Sequence, residues 1–387
     1  MTRLSLDGLT VLPAQVWGGV RLVPLVRDRP ITGLRLHNQV YEIESAVVAL
    51  NARSSYVSYI PHGFVATWNG DGTPAAAYGT QLTKDGTTTS VGCMPLRTHR
   101  RMAKRVDKNR LRFMPLHLAL EGYLALHFGG PTIVWDEWSQ RAVARGLSPR
   151  EEQAYRGANV AGLADALRVF EIHPGQCGVL CYVADALAAA FVVPHPDDYR
   201  ALHPTLLLDL YGEMIYHYAM LALPVPRFHA AISDTQVRTL ADLRAAAGRQ
   251  RADWAAFHDS TMAAGLLEPS YDIRRVYRLG DFTLSRFLPG FRPGEPNHIG
   301  ELITDRRGTT AYLKTFRLSE KQVRRGHLLT QLATNDWHLA DTATAMNVSE
   351  AQLGMRIQSA GFGALLRQDV LDHYRAQLRK GTGPVTG

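Results

Sequence analysis

The sequence has little cysteine and no long apolar run. Its 387 residues include three cysteines, Cys93, Cys177 and Cys181, too few and too irregularly spaced for a disulfide framework or a zinc knuckle. No stretch of 18 or more apolar residues occurs, so we expect no segment that crosses a membrane. The first 15 residues lack the apolar run of a signal peptide. We therefore expect a cytoplasmic protein whose Cys177 and Cys181 are buried, reduced thiols.

The sequence also lacks the common catalytic motifs. It contains no Walker loop, no G-x-G-x-x-G, no H-E-x-x-H and no G-x-S-x-G, and we expect neither a metal nor a cofactor. Two acid–imidazole pairs stand four residues apart, His117 with Glu121 and Glu213 with His217, a spacing that puts both side chains on one helix face. The second pair could orient a general base or a metal ligand. A partly buried salt bridge is the plainer interpretation.

Two further segments resemble the rim of a pocket. FEIHPGQCG precedes an apolar run that reads as a strand, and VVPHPDDYR follows one; loops at strand ends often carry functional residues. A turn followed by a helix cap explains the second segment equally well. No reaction follows from these side chains, and the expectation leans towards a protein that is not an enzyme. The weak catalytic candidates are Glu213, His217, His173, Glu171 and His195.

The positive charge is concentrated in the C-terminal third. The whole chain has a net charge of +8, and from Ser270 onward 17 Lys and Arg stand against 11 Asp and Glu, a net charge of +6. Such an excess is typical of a module that faces nucleic acid, because Lys and Arg neutralise phosphates. Solubility alone could also account for it.

Composition and punctuation predict an α+β fold. An apolar fraction of 46% and a charged fraction of 20% describe a globular protein, and the length predicts two or three domains. Short apolar runs between Gly, Pro, Asn and Asp make residues 9–82 β-rich. Residues 83–112 read as an exposed connection, residues 178–193 as a strand pair or a strand running into apolar structure, and residues 271–318 as a short β-containing region.

The predicted architecture is a β-rich N-terminal region with packed helices, followed by an all-α C-terminal helix-turn-helix module. Helices are expected at 114–127, 137–146, 149–170, 203–221 and 234–263. The corresponding units are 1–225, 226–318 and 319–380. The sequence leaves open whether 271–318 is a domain of its own or an extension of the first unit.

One basic stretch lies within the predicted connection. RTHRRMAKRVDKNRLR has eight Lys or Arg around a single Asp. This pattern is typical of a solvated loop, and it could also bind a phosphate backbone or a nucleotide. The basic residues are Arg97, Arg100, Arg101, Lys104, Arg105, Lys108, Arg110 and Arg112.

The clearest pattern is that of three short helices near the C-terminus. A helix from Lys321 has an apolar face, a break follows at Asn335-Asp336-Trp337, and HLADTATAM forms a second helix. Asn347-Val348-Ser349 predicts a tight turn with Ser349 as the N-cap of a third helix, which we expect to stop at Gly361. Two short helices joined by a turn form a bihelical unit that can place its second helix in the DNA major groove.

LLTQLATNDWHLADTATAMNVSEAQLGMRIQSAGFG therefore resembles a Fis-type helix-turn-helix. The resemblance covers Leu328 to Gly363 and implies that the outer face of the third helix meets DNA. The sequence departs from the pattern because the third helix has only one basic residue, and that residue comes late. A three-helix packing module is the alternative. A final helix bears Leu365, Leu366, Val370 and Tyr374 as a dimer or docking face. The predicted DNA contacts are Ser349, Glu350, Gln352, Arg356 and Gln358.

A second resemblance covers about residues 5–225. Gly178-Val179 in a strand, Ala184-Asp185 in a turn, Pro196 to Tyr199 and Leu207 to Tyr211 resemble the bacterial ARPP family, a name that abbreviates ADP-ribosylglycohydrolase- and rhodanese-phosphatase-superfamily-associated protein. The resemblance implies a link to ADP-ribose or NAD-derived metabolism and supplies no catalytic residue.

Three functions remain open. The first is a homodimeric regulator that binds double-stranded DNA and whose N-terminal domain senses a partner or a nucleotide-like small molecule. The second is a hydrolase acting on an ADP-ribose-type nucleotide, and the third is a non-catalytic assembly protein.

Overall fold

The fold is centred on an antiparallel sheet. A computed structural model of the chain describes residues 2–40, 47–51, 54–57, 62–68, 74–76, 81–84, 87–90, 103–107, 110–113, 161–210, 215, 218–220, 223–227, 231–318, 320–363 and 366–381. From residue 37 to residue 113 it describes the backbone alone. In chain order the strands are β1 (Thr10–Val11), β2 (Gln15–Trp17), β3 (Val20–Val26), β4 (Leu34–Val40), β5 (Val47–Asn51), β6 (Ser54–Val57), β7 (His62–Trp68), β8 (Pro74–Ala76), β9 (Gln81–Lys84), β10 (Thr87–Ser90), β11 (Ala103–Asp107), β12 (Arg110–Phe113), β13 (Gln176–Val183), β14 (Ala186–Val192), β15 (Asp272–Leu279), β16 (Phe282–Leu288), β17 (His298–Thr304) and β18 (Thr310–Arg317).

Nine of the described strands form the main sheet. Their order is β1-β3-β13-β14-β18-β17-β16-β15, with β2 also paired to β3, and all neighbours are antiparallel. The pairing of β14 with β18 joins the strands of residues 271–318 to those of the N-terminal region. The strands of residues 271–318 therefore belong to the same sheet as those of the N-terminal region.

The described helices flank the sheet or follow it. They are α1 (Leu163–Ala166), α2 (Pro196–Thr205), α3 (Leu240–Phe257), α4 (Ala264–Leu267), α5 (Glu320–Thr334), α6 (Leu339–Ala345), α7 (Glu350–Ile357) and α8 (Gln368–Gly381). Single π-helical turns extend α2 over Leu206–Leu210, α3 over His258–Met262 and α7 over Gln358–Phe362. No helix among the described residues has the length and apolarity needed to cross a bilayer.

Both faces of the main sheet are covered. On one face, Phe191, Ile299 and Tyr312 pack with Tyr199 and Leu202 of α2. On the other face, another cluster includes Leu180, Tyr182 and Leu302 and packs with Trp254 of α3 and Leu266 of α4. The strand QCGVLCYV is buried along almost its whole length because side chains of both orientations meet a core. The α+β class predicted from the sequence is thus confirmed.

The hairpin of residues 176–192 forms where the sequence predicts a strand pair. Ala184 and Asp185 connect β13 to β14 with φ of 47° and 59°. Positive φ at both central residues defines the type I′ turn that suits the twist of a two-residue hairpin. Arg21 from β3 stabilises this turn by an ion pair of 2.9 Å with Asp185. Cys177 and Cys181 on β13 are buried free thiols, as expected, and burial raises the pKa of both.

Some sequence predictions about local structure were wrong. Residues 83–112, interpreted as a connection, contain β10, β11 and β12, and β11 pairs with β12 in a hairpin. The helix predicted from His203 begins seven residues earlier, at Pro196. His195 is its N-cap, because its Nδ1 accepts the amide of Asp197 at 3.2 Å. A histidine that acts as a helix cap is not signalled by the usual capping residues.

His298 on β17 is a buried imidazole whose protonation opposes folding. Its Nε2–H donates to the carbonyl oxygen of Leu187 at 3.1 Å, and the side chain is almost completely buried. Burial lowers the pKa of His298 from 6.5 to about 4. The imidazole is therefore neutral in the folded protein at neutral pH.

We expect His298 to reduce stability as the medium becomes acidic. The unfolded chain takes up the proton near pH 6.5 while the folded chain resists it until about pH 4, so stability is full above pH 6.5 and falls through that window, by up to about 3 kcal/mol. Urea unfolding of wild type and His298→Gln at pH 7.5, 6 and 5 measures this loss. Glutamine retains a donor and cannot titrate, so the variant should lose less stability; an equal loss in both proteins would contradict the assignment. The exposed His373→Gln is the matched control.

Candidate nucleic-acid interface and adjoining cavity

Helix α5 belongs to two cores. Val323, in its first turns, is buried in the cluster on one face of the sheet, together with Phe291. Leu328, Leu329 and Leu332, further along, are buried in a separate cluster formed by the C-terminal helices. The helix therefore fixes the C-terminal helices to the sheet through continuous packing.

The joint between α5 and the sheet depends on close packing of the Phe291 ring against Gly326. A Cβ at Gly326 would overlap the ring of Phe291, so only glycine allows α5 to lie this close to the loop between β16 and β17. Phe291 has a φ of 50°, which is uncommon for an aromatic residue. The buried Asn297 holds the loop, because its side chain bonds to the backbone N–H and C=O of Arg292 and to the carbonyl of Glu295, at 2.8–3.1 Å.

Helices α5, α6 and α7 lie where the sequence predicts three short helices. Asp336 and Trp337, with φ of 49° and 63°, lie in the turn between α5 and α6. Asn347, with φ of 52°, lies in the turn between α6 and α7. Ser349 caps α7: its Oγ accepts the amide of Gln352 at 3.2 Å, and the Gln352 Oε1 accepts the amide of Ser349 at 3.0 Å. This reciprocal capping box explains why α7 starts at Glu350.

The end of α7 differs from the prediction. The helix does not stop at Gly361 but continues through the π-helical turn Gln358–Phe362. The buried Phe362 packs into the cluster of the C-terminal helices, and the widened turn directs it inward. A hydrophobic anchor beyond the glycine therefore extends the helix past a residue that would otherwise end it.

Helix α8 packs against α7. A Cβ at Gly354 would overlap the ring of Tyr374, and the Tyr374 hydroxyl donates to Glu350 Oε2 at 3.2 Å. Tyr374 and Leu371 are buried. Tyr374, one of the four residues predicted to form a dimer or docking face, therefore docks within its own chain.

The outward face of α7 is open along most of its length. Ser349, Glu350, Gln352 and Arg356 are exposed, and Gln358 is half-buried. The structure thus brings the five predicted DNA contacts onto one helix and its cap.

Three of these five side chains already have partners. Ser349 and Gln352 form the capping box, and Glu350 accepts the bond from Tyr374. Among the described acidic residues none forms an ion pair with Arg356, whereas Arg367 and Arg375 pair with acids of α8. Arg356 is therefore the cation that this face offers to an anion.

A cavity of about 400 Å³ adjoins this face. It lies between α5 and the end of α7, with the loop between β16 and β17 at one edge. Three arginines, a histidine and a serine give it polar groups, and four apolar residues complete the wall. The lining residues are Pro293, Arg324, Arg325, His327, Leu328, Met346, Arg356, Ser359 and Ala360.

The N-terminal catalytic candidates have structural partners. Gln15 bonds to both backbone groups of Glu171, at 2.7 and 2.8 Å, and its Nε2 lies 3.1 Å from the Nε2 of His173. His195 caps α2 as described. Glu171 and His173 thus share one hydrogen-bonding partner, while His195 bonds within its own helix start.

Other predicted residues lie outside the described part of the chain. These include His117, Glu121, Glu213 and His217. In the basic stretch, Lys104 lies opposite Arg112 in the backbone register of the β11–β12 hairpin, and Arg105 and Arg110 belong to the same hairpin. The basic residues outside the described part are Arg97, Arg100, Arg101 and Lys108.

A hydrogen-bonded network of Tyr182, His258 and Asp259 was not predicted. The Tyr182 hydroxyl lies 2.7 Å from His258 Nε2, and His258 Nδ1 lies 2.8 Å from Asp259 Oδ1. Tyr182 and His258 are completely buried, so their contact joins β13 to the end of α3 inside the core, while Asp259 is exposed. Because 76 residues separate the first two members, no local spacing could reveal it. Among the described residues no group of three or more His, Cys, Asp or Glu could hold a metal ion.

The fold and site define an α+β protein with an antiparallel sheet and a helical tail, α5 to α8. The tail packs against the sheet and contains the exposed polar helix α7 and a basic cavity. The chain belongs to the ARPP-2 family, whose model matches residues 4–280. The resemblance to the ARPP family is thereby confirmed, and the match extends beyond residue 225 to the end of β15. The helices α5 to α8 lie outside it. Comparisons with curated proteins and with solved structures found no match.

We expect Gly326→Ala to loosen the joint between the sheet and the tail. The added methyl group must displace the ring of Phe291, and overpacking of this kind costs about 1–3 kcal/mol. Gly248→Ala is the matched control, since nothing lies within 4 Å of a Cβ at that position of α3 and alanine there should stabilise the helix by about 0.5–1 kcal/mol. Thermal unfolding measures both changes, and hydrogen exchange in α5 to α8 locates the first. A Gly326→Ala protein as stable as wild type would refute the close contact.

Proposed function

We propose that this protein is a DNA-binding regulator whose helix α7 enters the major groove. The single observation that carries the proposal is the exposed polar face of α7 from Ser349 to Arg356, set behind a short turn. In this proposal α6, the turn and α7 form a helix-turn-helix. An α-helix with its side chains fits the width of the major groove of B-DNA.

The side chains support a division of work between the two ends of α7. At the start, Ser349 and Gln352 are occupied in capping, and the N-terminal end of the helix carries partial positive charge suited to a phosphate. At the other end, Arg356 offers a guanidinium that can bond a guanine edge or a phosphate. The carboxylate of Glu350 opposes phosphates and limits how closely the first turn approaches them.

The proposed assembly is a homodimer that binds two half-sites. Paired recognition helices about 34 Å apart would meet successive turns of the duplex on one side. The sheet domain of the ARPP-2 family would then sense a ligand or a partner and pass that signal to α7 through α5, which packs into both cores. Among the described residues the hydrolase alternative has less support, because the imidazole of His173 lies against Gln15 and that of His195 caps a helix.

We expect the full chain to bind duplex DNA in a salt-dependent manner that requires Arg356. Phosphate contacts release counterions, so the logarithm of the affinity should fall linearly with that of the salt concentration. Arg356→Ala should weaken binding by about 1–3 kcal/mol, or about 5- to 150-fold. Fluorescence anisotropy with labelled duplexes at several salt concentrations measures both effects.

Arg367→Ala is the matched control for this experiment. Arg367 is also exposed, but it pairs with Asp369 at 2.8 Å on the start of α8 and lies off the α7 face. Its substitution should leave DNA affinity unchanged. Absence of duplex binding by the wild-type chain, or equal losses in the two variants, would overturn the proposal.

A further inference from the structure

The cavity beside α7 combines cationic and apolar walls. Leu328 belongs to α5, Met346 directly follows α6, and Ala360 lies in the π-helical turn after α7. Pro293 closes one edge from the loop that Asn297 holds. A volume of about 400 Å³ lies within the range of cavities that hold small organic molecules.

Its charged groups are of one sign. Arg324, Arg325 and Arg356 all line the cavity, and no Asp or Glu appears among its described lining residues. Arg324 also forms an exposed ion pair of 3.2 Å with Glu320 on α5, which partly offsets its charge. Guanidinium groups gathered at a concave, partly apolar surface raise the local concentration of anions, and their planar donors match carboxylate and phosphate oxygens.

We propose that this cavity binds a small organic molecule that carries an oxyanion, a phosphate or a carboxylate, on an apolar body. The oxyanion lies between the arginines, where His327 adds a hydrogen-bonding group, and the apolar body packs on Leu328, Met346 and Ala360. A site on α5 and α7 is separate from the ligand-sensing role proposed above for the sheet domain.

The position of Arg356 gives this ligand a consequence. Arg356 lines the cavity and also belongs to the outward stripe of α7, three residues before Ser359 and four after Gln352. If α7 binds DNA as proposed, ligand and DNA compete for one guanidinium, and each lowers the affinity for the other by the same factor. This coupling depends on the proposed function, whereas the binding of the ligand does not.

Four probes separate the two features of the cavity in the full chain. 1-Naphthyl phosphate and 1-naphthoate carry the two oxyanions on one apolar body, 1-naphthol has the body without the anion, and inorganic phosphate has the anion without the body. Isothermal titration and ligand-observed NMR should show one or both aromatic anions binding at least tenfold more tightly than either partial probe. Which of the two binds more tightly identifies the oxyanion. Equal affinities for 1-naphthyl phosphate and inorganic phosphate, or no binding of either aromatic anion, would overturn the proposal.

Two variants and one control place the binding in this cavity. Arg356→Gln removes a cation, and Ala360→Leu fills space beside the apolar wall. Each should weaken the binding of the tighter-binding probe at least tenfold. Arg367 is an exposed arginine just before α8 that does not line the cavity, so Arg367→Gln should leave the binding unchanged; equal effects of all three would refute the site. Arg356 is exposed, so its variant should fold, as circular dichroism would verify. Adding the probe to the DNA titration then tests the coupling: ligand binding without any DNA binding overturns the proposed function and leaves the site intact.

Discussion

The arrangement of the whole tail depends on the contact between the ring of Phe291 and the backbone of Gly326. A side chain at position 326 would push α5 away from the loop between β16 and β17. The loop itself is held by the three hydrogen bonds of Asn297, which support Phe291 in a conformation that an aromatic residue seldom adopts. The same loop places Pro293 at the cavity. One contact therefore fixes both the joint and an edge of the proposed ligand site.

This joint makes the tail different from a module on a flexible linker. Val323 is buried with the sheet, and two turns later Leu329 and Leu332 are buried with α6 and α7. Because packed interiors deform little, a displacement of the loop or of α5 is passed to α7 rather than absorbed in between. The main sheet, closed by the pairing of β14 with β18, supplies the rigid base. The sheet and α7 are thus connected by continuous packing through α5.

Local patterns in the sequence predicted local structure and could not predict pairing between distant segments. The cap at Ser349 was predicted because a cap depends on residues a few positions apart, whereas the turn at Ala184-Asp185 was indicated by the resemblance to the ARPP family. The pairing of Phe191 with Lys314 joins residues more than 120 positions apart, and no periodicity records it. The hairpin of β11 and β12 was missed because charge dominates residues 97–112, and charged residues on paired strands resemble a solvated loop. The prediction that α7 stops at Gly361 was wrong because the burial of Phe362 outweighs the tendency of glycine to end a helix.

The candidate site shows the same division. Spacing identified the outward residues of α7, but only coordinates reveal that Ser349, Glu350 and Gln352 already have partners. The late position of Arg356 looked like a departure from the helix-turn-helix pattern when the sequence was considered alone. Beside α5, that position sets Arg356 next to Arg324 and Arg325, which an earlier arginine on α7 would not reach. If α7 binds DNA as proposed, an arginine at the end of the helix contacts both the groove and the cavity, so the departure is the feature that would let a small anion control contact with DNA.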